Sequence, residues 1–330
     1  MKKIISQSNI EDVCQGHIFV GCAIRTDDIV YLLARKDLTE DEAAEGNDYE
    51  IPTRVILLHE RQDCNELQVG AVDINNFELP QIGISLKPIA QALLLANDNH
   101  GSILPIGGGK DTWPFETLLK KGMPMCRRLR CIDGYTWAAC SRRLVFKRTD
   151  IGQWVNVRKG FDASMSPLGE TKNKDCGFKD IDGFSEKEIY AVGGKGDIWR
   201  FDGDSWSQCG FPTNDYLCTV CCAKDGNVYV GARNGLWRGK EHHWERICEF
   251  EKPEEMNDLR WFDNKLWLAY DYRLLYWDGS DLHSDIIYKD KKISLGGNID
   301  SSENMLFVTR SYETWTYDGK DWYNIIPNFN

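Results

Sequence analysis

Cys218-Thr-Val-Cys221-Cys222 has the Cys-x-x-Cys spacing that opens many zinc sites, and His242 and His243 follow about 20 residues on. The segment alternates like a strand, which turns Cys218 and Cys222 to one side and Cys221 to the other and splits the chelating pair. Neither histidine has a spaced second histidine, so no metal is expected. Gly107-Gly-Gly-Lys110 invites a phosphate loop, but Asp111 stands where Ser or Thr should hold magnesium and Leu104 where the first glycine should be. Gly193-Gly-Lys-Gly196 reads as a turn whose glycines permit positive φ. His17, His59, His100, His242, His243 and His283 form no His-Glu-x-x-His pattern, and no Gly-x-Ser-x-Gly elbow accompanies them. No cofactor is expected. Carboxylates gathered from distant segments around a channel would leave no local motif, which keeps a hydrolase or lyase as an alternative.

The elements that would position these residues repeat. A first aromatic mark recurs at Trp137, Tyr190, Tyr229, Trp267 and Phe307, and a second position at Trp154, Trp206, Trp244, Leu282 and Trp322 follows it by 17, 16, 15, 15 and 15 residues. A period of about 40 to 45 residues built from short strands is the signature of propeller blades. Within one unit, Glu188–Val192 and Asp197–Phe201 alternate with period two and are bounded by glycine and aspartate, as strands are. Asp202-Gly203, Asp278-Gly279 and Asp318-Gly319 precede the second mark, whereas Asp133-Gly134, Asp182-Gly183 and Asp225-Gly226 precede the first. Asp-Gly suits a type I′ hairpin, so each unit carries two hairpins and four strands. One such sheet cannot bury both faces and must stack on neighbours. The expected fold is all-β, a single propeller of seven blades with four antiparallel strands each. Its blades span approximately 16–74, 82–119, 126–158, 178–210, 216–249, 257–288 and 294–327. The last unit completes its own strands, which leaves the latch of the ring open; residues 1–9 are a candidate outer strand there.

Ile189-Tyr-Ala-Val-Gly-Gly194 followed by Trp199 and Trp206 resembles a kelch repeat, and Val228–Trp237 resembles the repeats of regulatory and sensor propellers. Trp277-Asp278 lacks the Gly-His partner of a WD40 repeat. The resemblance covers roughly residues 130 to 327 and implies a fold, since propellers host many functions.

A formal net charge of −11 argues against a nucleic-acid partner, which needs a basic footprint. No run of about 18 apolar residues exists, so no membrane partner is expected. Met1–Asn9 has the lysines of a signal peptide without its apolar run, and twelve scattered cysteines suit reduced thiols, so a cytoplasmic location is expected. Negative charge gathers at Asp37, Glu40, Asp41, Glu42, Glu45, Asp48 and Glu50, seven acids in fourteen residues without a base. This is the b–c loop of blade one. The connection after blade five adds Glu249, Glu251, Glu254 and Glu255 against Lys252 alone. In a propeller both emerge on one rim, and an acidic rim would steer a basic protein partner. Phe161 and Met165 in the long connection 159–176, and Tyr270, Asp271 and Tyr272 in the b–c loop of blade six, are candidates for the contact centre. Arg127, Arg128 and Arg130 on the innermost strand of blade three would line the channel and meet an anion or a carboxylate of another blade. The leading expectation is a non-catalytic binding protein, a monomer when free. Its concrete version is an immunity protein that neutralises a basic toxin domain such as a nuclease, and a scaffold or substrate adaptor is a further alternative.

Overall fold

The first aromatic marks are core residues. In the computed structural model, which describes residues 1–122, 124–161 and 177–330, Trp137, Tyr190, Tyr229, Trp267 and Phe307 are each at most 2% exposed. Each packs between two neighbouring sheets, as do Trp206 and Trp322 from the second set. Burying one such ring contributes roughly 1.5 to 3 kcal/mol. Repeating that contact around a circle is what makes the sheets stack.

Seven four-stranded antiparallel sheets result, each with its strands in chain order. Their innermost strands are His17–Thr26, Gln81–Ser85, Cys126–Ile132, Asp180–Ser185, Leu217–Cys222, Asp258–Phe262 and Asn298–Ser301. The b–c and d–a connections therefore share one end of the ring, here the upper face, and the a–b and c–d turns share the lower. No helix of the described residues is long and apolar enough to cross a membrane.

Three local readings change. Blade six ends at Leu282–His283, and Ile286–Tyr288 pairs instead with Lys291–Ile293 as a separate ribbon before blade seven. Asp182-Gly183 is not a turn but lies inside the innermost strand of blade four. Its aspartate accepts from the Cys222 backbone N–H of the next blade at 2.8 Å, a bond between sheets that outweighs the local turn preference. Cys218 and Cys221 pack into the same core cluster, while Cys222 faces the other way. The register shift between Leu217 and Thr219 inserts one residue and so reverses the expected alternation.

The amino-terminal segment closes the ring, and not as an outer strand. Blade one takes all its strands from residues 17–74 and blade seven all of its own from 298–326. Residues 1–14 fill the seam between them: Met1, Ile5, Ile10 and Cys14 are buried in one cluster with Phe19 and Leu58 of blade one and Phe307, Ile325 and Ile326 of blade seven. The Ile5 N–H donates to the Ile325 carbonyl at 3.0 Å, and Thr316 Oγ1 donates to the Met1 carbonyl at 2.6 Å. On the other side, Glu60 Oε1 accepts from the N–H groups of Lys2 and Lys3 at 2.7 and 2.8 Å.

Candidate partner-binding face

Charged side chains from non-adjacent blades cross the channel. Arg130 donates to Asp180 at 2.9 Å and to Asp258 at 2.6 Å, linking blades three, four and six. Arg128 approaches both carboxylates at 3.3 Å and donates to the Asn257 carbonyl. Arg260 bridges Asp258 at 2.8 Å and Asp300 at 2.9 Å. Thus Arg128 and Arg130 meet carboxylates of other blades, whereas Arg127 is exposed at the upper face. Burial pushes the Asp180 carboxyl up, but Arg130 and Arg128 hold it below its ordinary value. Burial outweighs the same arginines at Asp258 and raises it, and it raises Asp300 also.

Asp182 is pushed up to about 6, chiefly by burial and against the opposing field of Arg130. A folded value above the unfolded one near 3.8 means that the native state holds this proton more tightly. The resulting stability is complete below about pH 4 and is lost as the pH rises through 6. We expect urea unfolding of wild type and Asp182→Asn to show wild type gaining about 2 kcal/mol relative to the variant between pH 7 and pH 4. A constant difference across that range would contradict the assignment.

The arginine network separates two cavities. The lower, about 410 Å³, is lined by Asp182, Cys221, Arg260 and Asp300 among others. The upper, about 880 Å³, opens among Arg127, Lys179, Glu255, Tyr272, Arg310 and Tyr312. The Tyr312 hydroxyl, in the b–c loop of blade seven, donates to Asp37 at 2.8 Å. This bond ties the acidic loop of blade one to the cavity that also meets Glu255 and Tyr272, so the two segments do share one rim. Tyr312 was legible in principle, since it occupies in blade seven the connection that Tyr272 occupies in blade six.

The acids on this rim differ in what they already hold. Thr39 and Glu42 form a capping box on the helix Glu40–Glu45, and Asn47 and Glu50 form a second on the short turn Asp48–Glu50. Glu40, Asp41 and Glu42 lie in the first helical turn, where the helix dipole favours negative charge. The bonds from Thr39 and the neighbouring Lys36 hold the Glu42 carboxyl below its usual value. Asp48 is engaged by Arg35 at 2.6 Å. Glu40 and Asp41 are exposed. After blade five, Glu249 meets Arg246, Glu254 meets Arg273, and Glu255 meets Lys179 and Arg233. Those bases come mostly from other segments of the chain, so the local count against Lys252 alone overstated the charge there. Glu251 is exposed.

One aromatic candidate belongs to the interior and another is half-buried. Tyr270 is fully buried, following Leu266 and Leu268 on the core side of its strand, and so presents no contact area to a partner. Phe161 stacks on Trp206 at 5.4 Å and meets Trp199 edge-on at 4.9 Å, filling the gap between blades three and four. Tyr272 is 81% exposed, and Asp271 accepts from Asn257 at 2.8 Å. Met165 lies outside the described residues, as does most of its loop.

Comparison with known proteins agrees with the ring. No protein-family model matches the chain. YCF48 bound to D1 peptide superposes with a TM-score of 0.59 at 12% identity, over 96% of this chain and 94% of that one. The C-terminal WD40 domain of Sif2 superposes with a TM-score of 0.54 at 11% identity, over 96% and 85%. Such distant likenesses establish the propeller fold, shared with a WD40 domain, and do not single out a kelch type. The immune protein Tsi7 of Pseudomonas aeruginosa is 30% identical over 269 residues, which cover 80% of this chain and 85% of that protein. An identity of that extent, running through most of a ring with this geometry, means that the chain belongs to the family of the immune protein Tsi7.

Proposed function

We propose that this propeller is an immunity protein that neutralises a toxin by binding it on the upper face. The observation that carries the reading is the likeness to Tsi7 over most of both chains. The channel supports binding over catalysis: Asp180, Asp182, Asp258 and Asp300 each already accept hydrogen bonds from an arginine or a backbone N–H. The toxin is a basic domain, a nuclease being the concrete case, because an acidic protein can cover a nucleic-acid-binding surface and is drawn to it at long range. The free protein is a monomer that meets the toxin in the cytoplasm. Blade four keeps a kelch-like repeat at Ile189–Gly194.

The direct test is protection. The neighbouring genes are expected to include one for a toxin, and cells producing its toxic domain are expected to survive only when this chain is produced with it, and the two are expected to co-purify. Survival that never depends on this chain would sink the reading. The role of the acidic loop is tested through rates, because exposed charge acts mainly on encounter. Glu40→Gln with Asp41→Asn, which spares the capping residue Glu42, is expected to slow association roughly tenfold at low salt and to flatten its salt dependence. An unchanged association rate in stopped-flow mixing would remove the loop from the interface.

A further inference from the structure

Leu79 lies on the upper face in the connection from blade one to blade two, 40% exposed, with φ at +41°. A branched side chain in the left-handed region is strained, and glycine would relieve it. Two clamps impose the conformation. The Leu79 N–H donates to Asp48 Oδ2 at 2.6 Å, and the buried Asn97 donates through Nδ2 to the Leu79 carbonyl at 3.0 Å. Asp48 is itself held by Arg35, itself only 9% exposed, so the clamp is anchored in the body of blade one. Tyr49, the chain neighbour of Asp48, is 44% exposed. Two residues before Leu79, Phe77 packs against Phe115, which is 60% exposed. Leu79 is thus bonded to the b–c loop of blade one, the same loop that carries Tyr49 and the exposed acids Glu40 and Asp41.

We propose that Leu79 and Tyr49 form the apolar contact centre for the partner, rimmed by the acidic loop. This rests on the toxin-binding reading. A strained backbone that holds an apolar side chain in water adds nothing to folding, whereas a rigid apolar anchor inside a charged rim is the anatomy of a protein contact. The charge of the rim fixes the occupant as a basic protein surface, carrying an apolar side chain flanked by lysine or arginine. It also gives Asp48 its role, as the positioning residue of the knob and not a contact.

Leu79→Gly separates binding from folding, because glycine accepts this φ without strain. The probe is the purified toxin domain whose killing this chain suppresses in the protection test. Leu79→Gly is expected to melt at the same temperature as wild type or higher, yet to bind at least tenfold more weakly through faster dissociation, at high salt as at low. Tyr49→Ala should weaken binding similarly, and Leu79→Met should restore most of it. Unaltered affinity in both Leu79→Gly and Tyr49→Ala overturns the surface while leaving the immunity reading in place. Failure of wild type to bind the toxin overturns both. A wild-type dimer that Leu79→Gly converts to monomer assigns the surface to a second copy of this chain and overturns the proposed partner.

Discussion

Deleting residues 1–14 is expected to abolish the stable ring. Ile5 and Ile10 are at most 5% exposed, and their burial alone contributes roughly 3 to 6 kcal/mol, with Met1 and Cys14 adding to it. A domain has about 5 to 15 kcal/mol in total, so most of the margin goes with the segment. The backbone bonds to Ile325 and the carboxylate of Glu60 lose their partners at the same time. The measurement is urea unfolding followed by tryptophan fluorescence. Should the truncated chain aggregate, Ile5→Ala and Ile10→Ala provide graded versions, each expected to cost about 2 to 4 kcal/mol. A truncated protein with the midpoint of wild type would show that the seam between blades one and seven holds without its filling.

Arg130→Met is expected to cost about 3 to 5 kcal/mol, because removing one member of a buried charged network strands the rest. Asp180 and Asp258, both at most 3% exposed, would lose their shared cation and keep only Arg128 and Arg260 nearby. The pH dependence identifies the cause. Burial already raises the Asp258 carboxyl with Arg130 present, and without it the group takes a proton more readily. The deficit of the variant should therefore shrink as the pH falls toward 4. A second change, Asp258→Asn in the Arg130→Met background, is expected to recover part of the loss, so the two effects are not additive. A loss independent of pH would indicate packing and not charge.

Much of the fold was readable because its signals are local. The alternation around Tyr190 and Tyr229 and the Asp-Gly turns before Trp206 and Trp322 each depend on a few consecutive residues. Tyr270 could have been placed in the core by the same alternation, since it continues the buried face of Leu266 and Leu268. Other features depend on contacts between blades. Glu255 looked uncompensated because Lys179 and Arg233 are distant in sequence, and Asp182-Gly183 looked like a turn because its partner, the Cys222 N–H, belongs to the next sheet. The acidic loop of blade one was placed on its rim by strand order alone. Leu79 is not legible in the sequence because nothing in Glu78-Leu79-Pro80 announces a left-handed leucine; that conformation is imposed by Asp48 and Asn97.

The seam also dictates a schedule for synthesis. Met1 and Thr316, whose hydroxyl donates to the Met1 carbonyl, lie 315 positions apart, so residues 1–14 are seated fully only when the strands of blade seven have been made. Until then Ile5 and Ile10 can be covered only from the side of blade one, and the half left open is the kind of exposed apolar surface that chaperones hold and that invites aggregation. Closure is consequently the last long-range event of folding and the slowest to be rewarded, since every blade must be in place before the two sides of the gap can meet.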